Sequence, residues 1–148
     1  MQLNNNCSDY QHTLASEISI SGVGIHTGQT VEIKLIPAEP NTGIVFKRID
    51  LEGQPSVKAD VDNVVETTRS TTIEANGARI STIEHLMAAL VGNHVDNVLI
   101  EINGDEVPIL DGSSEPFIET IQKAGVKKQD AQKIYYTLQH NISFIDEE

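Results

Sequence analysis

One cysteine, Cys7, occurs in the 148-residue sequence, so no disulfide can close within the chain and a cysteine-based zinc site inside it is excluded. No apolar run approaches the roughly 18 residues that a membrane-spanning helix needs. The first residues, Met1 to Tyr10, are polar and Asn-rich. They lack the basic region and apolar stretch of a signal peptide, so the sequence reads as cytoplasmic. Basic residues are scarce: 10 Lys and Arg stand against 22 Asp and Glu, a net charge of −12. Phosphate backbones demand basic surfaces, so nucleic acid is not an expected partner. A diphosphate site would likewise need backbone amides, helix N-termini or residues from outside this chain. Several catalytic signatures are also missing. There is no H-E-x-x-H zinc helix. Gly22 and Gly24 fit the first two positions of a dinucleotide fingerprint, but Thr27 stands at the third. Asp111-Gly-Ser-Ser114 lacks the G-x-S-x-G frame of a nucleophile turn.

What is present is the composition of an ordinary globular domain: 39% apolar, 22% charged, with 10 Gly and 5 Pro. The segment from His12 to Gly22 alternates in part and predicts a strand. Gly22 to Gly28 is a glycine-rich turn, and Val31, Ile33 and Leu35 alternate with Glu32 and Lys34 in a second strand. Further strands are expected at Gly43 to Arg48, Val57 to Asp60, Ser70 to Glu74, Asn97 to Ile102 and Val107 to Leu110. Asn76-Gly77 marks a hairpin. Ser81-Thr-Ile-Glu84 has the S-x-x-E spacing of a capping box ahead of the helical pattern Ile83, Leu86, Met87, Leu90. Asp111 to Ser114 would cap a second helix, with Pro116 in its first turn and Gly125 after its end. Lys133 to Thr137 and Ile142 to Ile145 read as extended. Many strands with two late helices predict an α+β fold: one two-layer domain, a mixed and mostly antiparallel sheet with two helices packed on one face.

Three groups of residues have chemical potential. Glu84 and His85 are adjacent at a helix start, where a carboxylate can serve as general base beside an imidazole that binds a metal. The plainer alternative is that Glu84 completes the capping box with Ser81 and His85 lies on the helix surface. His26 sits among glycines that allow a ligand to approach the backbone, or is a turn residue without a role. Arg69-Ser-Thr-Thr72 offers a cation and three hydroxyls to a phosphate or carbonyl oxygen, or forms a polar strand edge. His12, His94 and His140 have no partners at ligand spacing and read as structural.

Taken together, several strings resemble one family. They are Ser21-Gly-Val-Gly-Ile-His-Thr-Gly28, Pro40-Asn-Thr-Gly43-Ile, Arg69-Ser-Thr-Thr72 and Arg79-Ile-Ser-Thr-Ile-Glu-His-Leu86, followed by Asp96-Asn-Val, Glu106-Val-Pro-Ile-Leu-Asp-Gly-Ser113 and Phe117. Their order and spacing from about His12 to Gly125 resemble the UDP-3-O-acyl-N-acetylglucosamine deacetylases, zinc-dependent hydrolases of lipid A biosynthesis. The resemblance implies two similar α+β domains with the active site between them. It implies that His85 is a zinc ligand, that Glu84 is the general base, and that His26 and Ser70 to Thr72, with Arg69 beside them, line the substrate site. It also implies that the other two zinc ligands and a further catalytic His come from a second domain, for which no H-K-x-x-D string occurs here.

On this reading residues 1–11 form a disordered leader, 12–130 the first domain of the deacetylase, and 131–148 the start of a truncated second domain. The isolated chain is expected to be inactive. Residues 132–145 are expected to be mobile, or to pair with a second copy in a swapped or edge-to-edge dimer. Two other readings stand beside it: a non-catalytic acidic α+β binding domain, and an enzyme whose zinc site is shared between subunits.

Overall fold

The computed structural model describes residues 9–135 and 138–143. The described chain runs β1 (Tyr10–Leu14), β2 (Ile18–Val23), β3 (Thr30–Pro37), β4 (Ile44–Arg48), β5 (Ser56–Lys58), a 3-10 turn at Val61–Asn63, β6 (Val64–Glu66), β7 (Thr72–Ala75) and β8 (Ala78–Ile80). It continues with α1 (Glu84–Gly92), β9 (Val98–Ile102), α2 (Glu115–Ala124) and β10 (Val126–Gln132).

Alternation builds the central sheet. In β3, Val31, Ile33 and Leu35 are buried while Thr30 and Glu32 are exposed. The same sheet face carries Phe46 of β4 and Val98, Ile100 and Ile102 of β9, all with no exposed surface. Five strands lie in the order β2-β3-β9-β4-β5. Among the described strands of this sheet only β4 and β9 run parallel, and the long connection between them contains β5 to β8 and α1. Leu86 and Leu90 of α1 and Phe117 and Ile121 of α2 complete one apolar cluster with these strands. Each such side chain contributes roughly 1.5–3 kcal/mol when withdrawn from water. The architecture is α+β, with mostly antiparallel strands and two helices.

The strands make three sheets rather than one. β6, β7 and β8 form a separate three-stranded sheet around the Asn76-Gly77 turn. Buried Arg48 of β4 ties this sheet to the central one, donating to the carbonyl of Arg79 at 2.8 Å and gripping Asp50 with two hydrogen bonds of 2.8 and 2.7 Å. The expected strand from His12 to Gly22 is two strands. The chain bends after Leu14, and β1 leaves the central sheet to pair antiparallel with β10, Leu14 opposite Val126 and Tyr10 opposite Gln132. β1 includes Tyr10 and Gln11, which the sequence reading placed in the leader, and Gln11 is buried. β10 extends past residue 130. Lys133 still donates its amide to Asp9, but residues 133–135 form no strand, and Ile134 is 90% exposed. The remaining extended segments expected at the C-terminus lie partly outside the described residues. Val107 to Leu110 is not a strand. Val107 and Ile109 donate single hydrogen bonds to Ser81 and Val23, and Leu110 turns at φ 53°.

The expected capping box at Ser81 does not form. Ser81 is still extended, its amide and hydroxyl donating to the carbonyl of Asp105. Thr82 then adopts φ 60°, Ile83 is the cap residue without a side-chain hydrogen bond, and the helix starts at Glu84. This reversal at Thr82 breaks the spacing that a capping box requires. The start of α2 also differs in detail: Ser113, not Ser114, accepts the hydrogen bond from the Glu115 amide, and Asp111 holds Ser113 in turn.

Candidate active-site surface

The glycine-rich turn links β2 to β3. Gly24 and Gln29 close it with a backbone hydrogen bond of 3.0 Å, leaving Ile25 to Thr27 at its exposed tip. Arg69 and Ser70 lie in the turn between β6 and β7, and Thr72 begins β7. His26, Arg69, Ser70 and Thr72 meet in one open cleft of about 220 Å³, with Glu66, Arg79 and Ser81 completing its walls. The two arginines differ. Arg79 is committed to Glu66 and Glu74 at 2.8 Å each, whereas Arg69 is exposed and forms no ion pair with the carboxylates of the described residues.

Thr71 and Glu84 stand apart from these four. They line a neighbouring, largely apolar groove with Val61, Val64, Ile73 and Met87. Thr71, at the entry to β7, faces this groove, while its neighbours Ser70 and Thr72 line the cleft. The Glu84 carboxylate accepts the Thr71 amide at 3.0 Å. This bond, rather than a cap on its own helix, fixes the side chain against the strand that carries the cleft residues. His85 is half-buried on the first turn of α1, close to Asp111. Hydrogen bonds from Ser113 hold the Asp111 carboxyl below its ordinary range, and the nearby imidazole adds to the effect.

Glu106 opens one of the family-like strings but has no role assigned from the sequence, and it organises this surface. Its side chain is fully buried and accepts the amides of His26 at 3.0 Å and Thr27 at 2.8 Å, and the hydroxyl of Thr82 at 3.1 Å. Burial alone would push its carboxyl up. The Thr27 and His26 amides, with the Thr27 and Thr82 hydroxyls, outweigh that and hold it below its ordinary value. Its partners lie 80 and 24 residues away, beyond the reach of any local spacing rule.

Among the described residues, no three His, Cys, Asp or Glu side chains are grouped to hold a metal ion. A catalytic zinc takes three protein ligands. The donor chemistry of His85, a single imidazole beside carboxylates, therefore fits one contribution to such a site rather than a whole one. No helix among the described residues is long and apolar enough to cross a membrane.

The family model described as LpxC, UDP-3-O-acyl N-acetylglycosamine deacetylase, matches residues 11–148, and the chain belongs to that family. It is 47% identical over 137 residues to the UDP-3-O-acyl-N-acetylglucosamine deacetylase of Geobacter sp. strain M21, covering 93% of this chain and 45% of the relative. It is 46% identical over 138 residues to the deacetylase of Thermosynechococcus vestitus, covering 48% of that protein. To the bifunctional enzyme LpxC/FabZ of Bacteroides thetaiotaomicron it is 47% identical, covering 30%. The chain thus spans less than half the length of these curated relatives.

Proposed function

We propose that this chain supplies the N-terminal part of a zinc-dependent hydrolase that removes the N-acetyl group of UDP-3-O-acyl-N-acetylglucosamine in lipid A biosynthesis. The observation that carries the reading is the convergence of His26 with Arg69, Ser70 and Thr72 in one cleft, 43 or more positions apart in sequence, next to a segment that grips Glu84. Arg69, without an ion pair among the described residues, is placed to receive an anionic group of the UDP-sugar, and the Ser70 hydroxyl, beside the buried Thr72, to orient its polar atoms. Glu84 acts as general base, taking a proton from the attacking water and delivering it to the leaving amine as the amide C–N bond breaks. The Thr71 amide keeps that carboxylate oriented. His85 gives one ligand, and bound zinc would supply Lewis-acid polarisation of the amide carbonyl and a more acidic water. The remaining ligands come from a second domain that begins beyond β10. The isolated chain therefore turns over no substrate and binds zinc weakly, and its place of work is the cytoplasm.

The test is Glu84→Gln in a hybrid enzyme that joins this chain to the remaining part of the Geobacter relative. Gln keeps an oxygen for the Thr71 amide but cannot accept the proton. Turnover should fall about 10²–10⁴-fold while the melting temperature holds. Undiminished turnover would remove Glu84 from the chemistry.

A further inference from the structure

We propose that Glu106 is a positioning residue whose buried carboxylate latches the glycine turn bearing His26 to the start of α1, where Glu84 and His85 stand. The geometry is specific. One carboxylate spans two elements: the His26 and Thr27 amides at the tip of the β2–β3 turn, and the Thr82 hydroxyl two residues before α1. The turn comes so close that a Cβ on Gly24 would lie 2.3 Å from the Glu106 Oε2, so only glycine lets the backbone reach it. Thr82 is held at φ 60°, a conformation a β-branched residue rarely adopts, and its hydroxyl points at the same carboxylate. The backbone around Glu106 is tied to Ser81, whose amide donates to the Asp105 carbonyl and whose carbonyl accepts the Val107 amide.

Stability alone does not explain the choice of residue. No Lys, Arg or His side chain among the described residues forms an ion pair with Glu106. A buried carboxylate without a counter-ion is an expensive way to fill space, and an apolar side chain would cost less. What the carboxylate does that an apolar group cannot is collect donors from two elements at once. The catalytic part of this inference rests on the deacetylase reading; the latch does not.

Two measurements separate them. In the 148-residue chain, the His26 and Thr27 amide protons should shift together through the acid range as Glu106 takes up a proton, and Glu106→Gln should abolish that titration. Persistence of the titration in E106Q, or its absence from the unaltered chain, overturns the latch. If E106Q does not fold, Gly24→Ala carries the test, because its Cβ would overlap the Glu106 carboxylate and the Thr27 hydroxyl and so drive the carboxylate and the turn apart. Loss of the titration in G24A supports the latch, and its retention overturns it. In the hybrid enzyme, E106Q and G24A should each lower kcat about 10²-fold, the scale expected when reacting groups are displaced by an ångström. The double variant should lose little more than either alone, since both break one contact. Unchanged kcat in E106Q, or fully multiplied losses in the double variant, overturns the positioning role. An unaltered hybrid without activity counts against the deacetylase reading, while the amide titration still decides the latch.

Discussion

At the scale of single residues, some family-like strings serve the scaffold and others the cleft. Asn97 belongs to the first kind. It is 1% exposed, donates its amide to Gln11 and Gln129 at 2.9 and 2.8 Å, and accepts the Gly43 amide at 2.8 Å. It thereby joins β1, β10 and the loop before β4, which explains why the Pro40-to-Gly43 and Asp96-Asn97 strings meet in space without reaching the cleft. Asn97→Ala would take the partner from the part-buried Gly43 amide and from the Gln129 oxygen, while the Gln11 oxygen keeps the Asn41 amide, and should cost about 1–3 kcal/mol in urea unfolding. Acid sensitivity also resides in particular carboxyls. Glu106 and Asp50 both sit below their ordinary values of 4.5 and 3.8, Asp50 through its hydrogen bonds from Arg48. The unfolded chain therefore binds more protons than the folded one between the lowered and ordinary values. Their stabilisation is complete above about pH 4.5 and is lost as pH falls through the lowered values. The urea midpoint should decline on that acid limb, and E106Q should flatten it.

At the scale of elements, legibility follows how local the determining physics is. β3 is plain in the sequence because one of its faces is buried, so its apolar residues alternate. The end of α2 is equally plain. Gly125 takes φ 75° and ψ 160°, a region essentially reserved for glycine, and its amide caps the helix by donating to Ile121 and Gln122. Gly125→Ala should destabilise by about 1–3 kcal/mol, read as a lowered melting temperature, and the new Cβ would also press on Ala15 at 3.3 Å. β10 shows the opposite case. Its sequence Val-Lys-Lys-Gln-Asp-Ala-Gln has no apolar face, because as a mostly exposed strand it depends on its hydrogen bonds to β1, more than a hundred residues earlier. The start of α1 misleads for a related reason. S-x-x-E implies a local cap, but Ser81 and Glu84 each bond to a distant strand or loop instead. The site follows the same rule: His26, Arg69 and Glu84 have readable chemistry in the sequence, whereas Glu106, though it opens a family-like string, shows its role only when the fold brings its donors together.

At the scale of the whole molecule, the described residues end beyond β10 in an apolar but exposed stretch, with Ile134, Tyr135, Leu138 and Ile142 between 59% and 90% exposed. Truncation after Lys133 keeps the ion pair of Lys133 with Asp96 and should leave the melting temperature unchanged. Truncation after Gly125 removes β10 and should lower it. A sedimentation series across concentration distinguishes a monomer from self-association through this stretch. The β1–β10 ribbon has a mechanical consequence as well. Because Tyr10 faces Gln132 and Leu14 faces Val126, the chain enters and leaves the fold at the same end of the ribbon. A load pulling these two points apart meets the hydrogen bonds one pair at a time, as a zip is opened, rather than all together in shear. Stretched between handles at residues 9 and 133, the molecule should yield first at low force by peeling this ribbon, with the five-stranded core resisting afterwards as a separate and stronger event.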